Sequence, residues 1–305
     1  MSIIDATSRD PALGAHAAGF RLAVVASDAS LAADGALRVT RALATRDGTQ
    51  LTLLSVVEPT SFPAPVADLT LAAAALPSHD EALLAARRTA IAEQCARTGF
   101  DPAVECLVEC SVPLSGILFH ATRRRADLIV MGLGRHTAVD RLFGTETALH
   151  AARESDVATL AVPALATAVP QHALVGTDFD ASSLAAARAA ARLVGPFGRL
   201  TLVHVAQPDE DATDAARSAV RGELDDAFTR AVRTLALPPT MVVDWLAAKG
   251  NPAREIVACA AAIGADVIAM GRHSRNLIER LVLGSSTRRV VRTAACSVLV
   301  VPREG

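Results

Sequence analysis

Aromatic residues are scarce in this chain of 305 residues, which contains one Trp, no Tyr and eight Phe. Surfaces that stack the bases of single-stranded nucleic acids, and antibody-like binding surfaces, depend on aromatic side chains, so the composition argues against both. Basic residues (30) and acidic residues (32) nearly balance, which gives no electrostatic reason to expect a nucleic-acid partner. Lys249 is the only lysine, and it lies in no glycine-rich loop that could bind phosphate.

Long hydrophobic runs and a secretory signal are also missing. No apolar stretch approaches the roughly 20 residues that a membrane-spanning helix needs, and the initial MSIIDATSRD lacks the basic-then-apolar pattern of a signal peptide. The five cysteines are scattered and odd in number, which is typical of reduced cytoplasmic thiols. We therefore expect a cytoplasmic protein with no membrane partner and no metal site.

An internal repeat organises the chain. LTLLSVVEP (51–59) aligns with LTLVHVAQP (200–208), and ADLIVMG (126–132) aligns with ADVIAMG (265–271). The matching segments keep their order at a spacing of roughly 140–150 residues, which indicates a duplicated unit. The sequence predicts two domains, residues 19–164 and 171–303, joined by a short linker that prolines delimit.

Within each copy, five short apolar strands alternate with helices. Strands that are apolar on both faces are typical of a parallel sheet covered by helices on each side. This pattern predicts an α/β fold with two tandem, doubly wound, five-stranded parallel-sheet domains. The last strands, ATLAVP and SVLVVP, would be exposed apolar edges, so we expect them to pair with each other around a pseudo-two-fold axis.

Candidate binding residues follow the strands of the second copy, because ligands of such sheets bind at the carboxyl ends of the strands. Asp178 follows the first strand, where it could bind an adenine or ribose group or cap the next helix. Gly271 and Arg272 follow the fourth strand, and Gly284 and Ser285 open the last helix. Glycine and hydroxyl residues at a helix N-terminus favour an anion site, although Ser285 could also be only a helix cap.

These features resemble the universal stress protein family. Its ATP-binding members carry an Asp after the first strand and a loop of the form Gly, two residues, Gly, nine residues, Gly-Ser/Thr. The second copy has Gly271, two residues, Ser274, nine residues, Gly284-Ser285, so it departs from that pattern at Ser274. The resemblance implies an adenine nucleotide alpha hydrolase-like fold and ATP in the second domain, with the presence of Mg²⁺ left open. The residues implied to bind the nucleotide are Thr177, Asp178, Val205, Gly271, Arg272, Ser274, Gly284, Ser285, Ser286 and Thr287.

The first copy matches the family pattern less well. Glu146 stands where the second copy has Ser286, and its carboxylate would repel a polyphosphate. We therefore expect a weak or lost second site. Its residues would be Asp28, Val56, Gly132, Gly134, Gly144 and Thr145.

The motifs of phosphoryl-transfer enzymes are not found in the chain. It has no GxxxxGK[ST] loop, and no HRD-like or DFG-like segment, and we identify no catalytic residue. Together with the resemblance to universal stress proteins, the missing motifs favour a stress-response sensor that binds ATP with little or no hydrolysis and changes its conformation or partners accordingly. The resemblance also implies a homodimer. Two alternatives remain open: an interaction or scaffold protein that binds no nucleotide, and a slow ATPase or adenylating enzyme of the same fold.

Overall fold

The structure, a computed structural model, describes residues 19–59, 79–134, 145–206, 214–272 and 283–303. The first repeat contains strands β1 (Leu22–Ala26), β2 (Gln50–Val57), β3 (Glu105–Cys110), β4 (Leu128–Leu133) and β5 (Ala158–Pro163). Its helices are α1 (Asp34–Asp47), α2 (His79–Thr98), α3 (Pro113–Arg123) and α4 (Thr145–Glu154), and a short 3₁₀ helix (Leu31–Ala33) precedes α1.

The second repeat has the same order of elements. Its strands are β6 (His172–Gly176), β7 (Arg199–Ala206), β8 (Val242–Lys249), β9 (Val267–Gly271) and β10 (Ser297–Val301). Its helices are α5 (Ala181–Val194), α6 (Asp214–Leu235), α7 (Pro252–Ile263) and α8 (Ser285–Thr293). The alternation of strands and helices predicted from the sequence is confirmed in both repeats.

All ten strands form one sheet, in the order β3-β2-β1-β4-β5-β10-β9-β6-β7-β8. Within each repeat the strands are parallel, whereas β5 and β10 pair antiparallel. In that pair Leu299 lies opposite Leu160, with Val298 opposite Ala161 and Val300 opposite Thr159. The predicted fold class and the predicted pairing of the two final strands are therefore confirmed.

Helices cover both faces of the sheet. Because successive residues of a strand point to opposite faces, neighbouring strand residues pack against different helices. Val25 belongs to an apolar cluster with residues of α1, α2, α5 and α6, whereas its neighbour Val24 belongs to a cluster with residues of α3, α4, α7 and α8. Helix α5 meets the sheet through a series of alanines that are almost completely buried. Such small side chains allow the helix to lie close to the strands.

Arginines bind the two repeats together at one end of the sheet. The guanidinium of Arg46, in α1, donates to the backbone oxygens of Leu193 (2.8 Å) and Val194 (3.2 Å) at the end of α5. Arg192, in α5, donates to the Asp127 carboxylate at 2.6 Å and lies over the Phe20 ring at 4.3 Å. A cation at a helix C-terminus is favourable because the last carbonyl groups of a helix have no partner within it.

No helix in the described part of the chain has the length and the apolar character needed to span a bilayer.

Replacing Leu160 by Ala is expected to lower the free energy of unfolding by about 3 kcal/mol, because it leaves a cavity where the two repeats meet. Leu160 is completely buried (0% exposed). Urea denaturation followed by circular dichroism measures the effect. The matched control is Leu165→Ala, which should change stability by less than about 0.5 kcal/mol because Leu165 is 90% exposed. Equal losses in the two variants would contradict the role assigned to the β5–β10 contact.

Candidate functional site

A cavity of about 480 Å³ lies at the carboxyl ends of β6, β7 and β9. From β6 the chain runs to β7 on one side, while β9 lies on the other side, so the cavity sits at the point where strand order reverses. The structure brings most of the predicted site residues together here. Those that line the cavity are Thr177, Asp178, Val205, Gly271, Gly284, Ser285, Ser286 and Thr287.

Packing beneath the turn after β6 fixes its unusual backbone. Phe179 has a left-handed φ of 65°, which is uncommon for a residue other than glycine. Its ring stacks on His204 at 5.2 Å and meets Phe228 edge-on at 4.9 Å. Nδ1 of His204 donates to the backbone oxygen of Thr177 at 2.9 Å. These contacts leave the preceding residue, Asp178, exposed at the edge of the cavity.

The cap of α5 is Asp180, two residues after the position for which we considered capping. Its carboxylate accepts hydrogen bonds from the Ser183 backbone N–H (2.7 Å) and the Ser182 hydroxyl (2.9 Å). Partial burial raises the pKa of Asp180, but the hydrogen bonds donated by the Ser183 backbone N–H and the Ser182 hydroxyl oppose it, and the pKa falls from 3.8 to about 2. Asp180, and not Asp178, is therefore the N-cap of α5.

Gly271 is required by packing whether or not a ligand binds. A Cβ at this position would lie 2.5 Å from the backbone oxygen of Ser182 in α5. Gly132 meets the same constraint in the first repeat, where a Cβ would lie 2.6 Å from the backbone oxygen of Ala32. The first glycine of the family loop therefore lets a strand end against the start of a helix, and by itself it does not indicate a phosphate.

The start of α8 faces the cavity, and the described residues leave space around it. Gly284 is the N-cap and has no side chain to satisfy the first N–H groups of the helix. A Cβ on Gly284 would meet only the Thr287 hydroxyl, at 3.9 Å. The first turn of α8 contains no acidic residue. Within the described residues, the cavity therefore combines helix N–H groups that the N-cap residue does not satisfy with the hydroxyls of Ser285, Ser286 and Thr287, which is the chemistry of an anion site.

Arg272 does not take the place that the sequence predicted beside this anion site. Its guanidinium donates to the backbone oxygens of Arg153 (2.7 Å) and Ser155 (2.8 Å), at the C-terminal end of α4 in the first repeat. Burial lowers the pKa of Arg272 from its usual value. The guanidinium lies there because the carbonyl groups at the end of α4, distant in sequence, accept its hydrogen bonds, and a role of Arg272 in nucleotide binding stays a prediction. Ser274, the other predicted residue, lies outside the described residues.

The turn after β1 in the first repeat rests on polar contacts instead of aromatic ones. The Ser27 hydroxyl donates to Gln94 Oε1 at 2.6 Å, and Gln94 Nε2 donates to the buried Asp34 at 2.9 Å. Arg97 donates to the same Asp34 carboxylate at 2.9 Å. The two repeats therefore support equivalent turns by different chemistry.

The predicted residues of the weak site occupy equivalent places in the first repeat. Asp28 follows β1, Val56 is buried in β2, and Gly132 and Gly134 lie at the end of β4. Thr145 begins α4, and Gly144 lies outside the described residues.

Glu146 pairs with the second repeat. Its carboxylate accepts a hydrogen bond of 2.7 Å from Arg292 in α8, because the pseudo-two-fold arrangement places α4 beside α8. We expected this carboxylate to face any polyphosphate bound to the first repeat. Both side chains of this pair are solvent-exposed, so Arg292 offsets the negative charge only in part, and the repulsion of a polyphosphate by Glu146 stays a prediction.

Sequence reasoning missed the apolar wall of the cavity. Pro252 and Ile256 of α7 and Met270 of β9 line it. No local pattern distinguishes these residues from ordinary core residues. The order of the elements could have placed them here, because α7 follows β8, the strand next to β7, and packs against the sheet beside the cavity.

The chain also matches the model of a known protein family. The model of the universal stress protein family matches residues 19–163 and again residues 170–302. The chain belongs to the universal stress protein family. It contains two copies of the unit that the model describes, which agrees with the repeat seen in the sequence.

Relatives match this universal stress protein over one repeat or over nearly the whole chain. A universal stress protein of Thermus aquaticus is 32% identical over 128 residues, which is 41% of this chain and 92% of the relative. A solved universal stress protein of Archaeoglobus fulgidus is 20% identical and has a TM-score of 0.59, covering 92% of this chain and 96% of its own. A putative universal stress protein of Pseudomonas aeruginosa is 14% identical with a TM-score of 0.61, covering 94% of each chain. At these identities the solved structures show the fold alone.

Replacing Asp180 by Ala is expected to lower the free energy of unfolding by about 1 kcal/mol at pH 7, because α5 loses its N-cap. The pKa of this carboxyl is lower in the folded chain (about 2) than its ordinary value of 3.8. The stability it contributes is therefore present above the unfolded pKa and is lost as the pH falls through about 2. Urea denaturation at several pH values should show the difference between wild type and variant shrinking below about pH 4.

Asp180→Asn is the matched control. Asn caps helices about as well as Asp but does not titrate, so this variant should stay close to wild type at pH 7. A loss of stability in Asp180→Ala that stays constant down to pH 2 would contradict the assignment.

Proposed function

We propose that this universal stress protein binds an adenine nucleotide, ATP, in its second repeat and acts as a stress-response regulator whose conformation or partners depend on that nucleotide. One observation carries the proposal. A single cavity joins the strand ends at Asp178 and Val205, where a base and ribose would lie, to the N-terminus of α8, where phosphates would lie.

The chemistry of the cavity fits an adenine nucleotide. Its volume of about 480 Å³ is within the usual range for small-molecule sites. Ile256, Val203 and Met270 offer apolar contact to a base, and the Asp178 carboxylate can accept a hydrogen bond from an amino group or a ribose hydroxyl. At the other end, the N–H groups and hydroxyls of α8 supply donors to phosphate oxygens.

The composition of the cavity supports binding with little or no hydrolysis. Phosphoryl transfer needs groups that hold a metal ion and a group that activates the attacking nucleophile. Asp178 is the one carboxylate among the described residues that line the cavity. His204 also lines it, but its Nδ1 is already bonded to the backbone oxygen of Thr177.

The two repeats are proposed to differ in affinity, with the first binding the nucleotide weakly or not at all. Glu146 lies in the first turn of α4, at the position that Ser286 occupies in α8. A carboxylate there competes with phosphate for the positive end of the helix. Binding to the first repeat would also have to displace Arg292 from this carboxylate or leave a negative charge beside the phosphates.

Assembly and location stay predictions. The final strands β5 and β10, which we expected to pair, do so within one chain, so a homodimer would need another surface. The domain boundaries at residues 164 and 171 and the cytoplasmic location are likewise predictions.

Titration calorimetry with ATP is expected to give a stoichiometry close to one nucleotide per chain. The reason is the difference between Ser286 and Glu146 at the two helix starts. Two equal sites per chain would contradict the proposed asymmetry. If ATP, ADP and AMP all give no heat of binding, that result would contradict nucleotide binding itself and favour the scaffold alternative.

Replacing Gly284 by Asp is expected to weaken ATP binding by about tenfold or more, because the new carboxylate would occupy the N–H groups that phosphate needs. The fold should survive, since a Cβ fits here and Asp is a favoured N-cap residue. The dissociation constant and the melting temperature should both be measured.

The matched control is Gly222→Asp, in α6, which adds the same charge where a Cβ has nothing within 4 Å. It should leave ATP affinity unchanged. If both variants bind ATP as wild type does, the phosphates do not lie at the start of α8.

A further inference from the structure

A second cavity, of about 300 Å³, adjoins the first and shares Ser285 and Ser286 with it. Asn251 and Ala253, at the start of α7, form one side. Arg288, Arg289 and Arg292, all in α8, form the other side. The start of α8 therefore separates a mostly apolar cavity from one that carries three positive charges.

Within the described residues, Glu146 is the carboxylate that pairs with an arginine of the second cavity. Arg292 is held at 2.7 Å by Glu146 of the first repeat. Arg288 and Arg289 are exposed, and neither has an ion-pair partner within the described residues. The first turn of α8 contributes no acidic side chain. Among the described residues that line it, the cavity therefore has three cationic and no acidic side chains, and it lies beside the N-termini of α8 and of α7, whose first turn contains Glu255.

Arg288 stands where it disfavours the helix that carries it. Arg288 lies near the N-terminus of a helix of nine residues, whose positive dipole end repels a cation. Arg288 and Arg292 are also four residues apart, a spacing at which like charges are destabilising. A bound polyanion would offset both effects, because it would bring negative charge to the cations and to the helix end at once.

We propose that the second cavity receives the distal phosphates of an adenosine polyphosphate, so that the second repeat prefers long phosphate chains over short ones. The proposal rests on the proposed function, since it places the base and ribose in the larger cavity. The phosphate chain would pass Ser285 and Ser286, which line both cavities, and end among the arginines. Guanidinium groups suit this role because they bind phosphate oxygens in a bidentate, permanently charged manner.

The ligand class follows from this arrangement. AMP would reach no further than the start of α8, whereas the terminal groups of ATP and of adenosine 5′-tetraphosphate would reach Arg288 and Arg289. We therefore expect affinity to increase in the order AMP, ADP, ATP, with adenosine 5′-tetraphosphate at least as tight as ATP. Salt should reduce the difference between ATP and AMP, because the added contacts are electrostatic.

Titration calorimetry of the full chain with these four nucleotides tests the proposal. In wild type, ATP should bind about tenfold or more tightly than AMP. The double variant Arg288→Ala/Arg289→Ala should lose about tenfold or more for ATP and tetraphosphate, and less than about threefold for AMP. Its melting temperature should not fall, because both side chains are exposed and Arg288 lies near the positive end of the helix dipole.

The matched control is Arg230→Ala/Arg233→Ala, which removes the same charge from exposed positions in α6 outside both cavities. It should leave the whole nucleotide series unchanged. A similar loss in this control would mean that net charge, not the cavity, sets the preference, and would overturn the proposal.

The remaining outcomes distinguish a failure of the proposed function from a failure of the polyphosphate preference. If wild type binds no adenine nucleotide, the proposed function fails. If AMP and ATP bind wild type equally, or the Arg288/Arg289 variant weakens all four nucleotides equally or none of them, nucleotide binding stands and the polyphosphate preference fails.

Discussion

The antiparallel pairing of β5 and β10 is the contact on which the rest of the structure depends. Each strand would otherwise be an apolar sheet edge with unpaired backbone groups, a state that proteins rarely leave exposed. Pairing Leu160 with Leu299 joins two parallel sheets into one. The same pairing sets α4 beside α8 and so creates the contacts between the repeats, including Arg292 with Glu146 and Arg272 with the end of α4.

The two repeats share the same backbone fold, but the side chains at equivalent positions make different contacts. Both repeats have a glycine here, Gly132 and Gly271, because a Cβ would collide with the backbone at the start of a helix. By contrast, the turn after β1 rests on Gln94 and buried Asp34, and the turn after β6 rests on Phe179 and His204. Packing constraints are therefore shared by the repeats, and the groups that could touch a ligand are free to diverge.

The candidate site belongs to the second repeat but does not stand alone. Arg272 directly follows Gly271, which lines the cavity, and its guanidinium holds the end of a helix in the first repeat. Arg292 lies beside the cavity's extension and is fixed by a carboxylate of the first repeat. A ligand that altered the start of α8 would therefore act on contacts between the two repeats, which is where a nucleotide-dependent regulator would need to act.

The sequence by itself determined the repeat, the alternation of strands and helices, and the positions after β6 and β9 that meet in one cavity. These features depend on local periodicity and on the rule that parallel strands end at one edge. Only the tertiary structure decided the fate of Arg272 and Glu146, because their partners lie more than a hundred residues away and no local pattern encodes them. It also gave the helix cap to Asp180 in place of Asp178, and it brought Pro252 and Ile256 to the cavity wall. Backbone pattern is a local property of the chain, whereas the direction in which a long charged side chain turns is settled by whatever charges folding places around it.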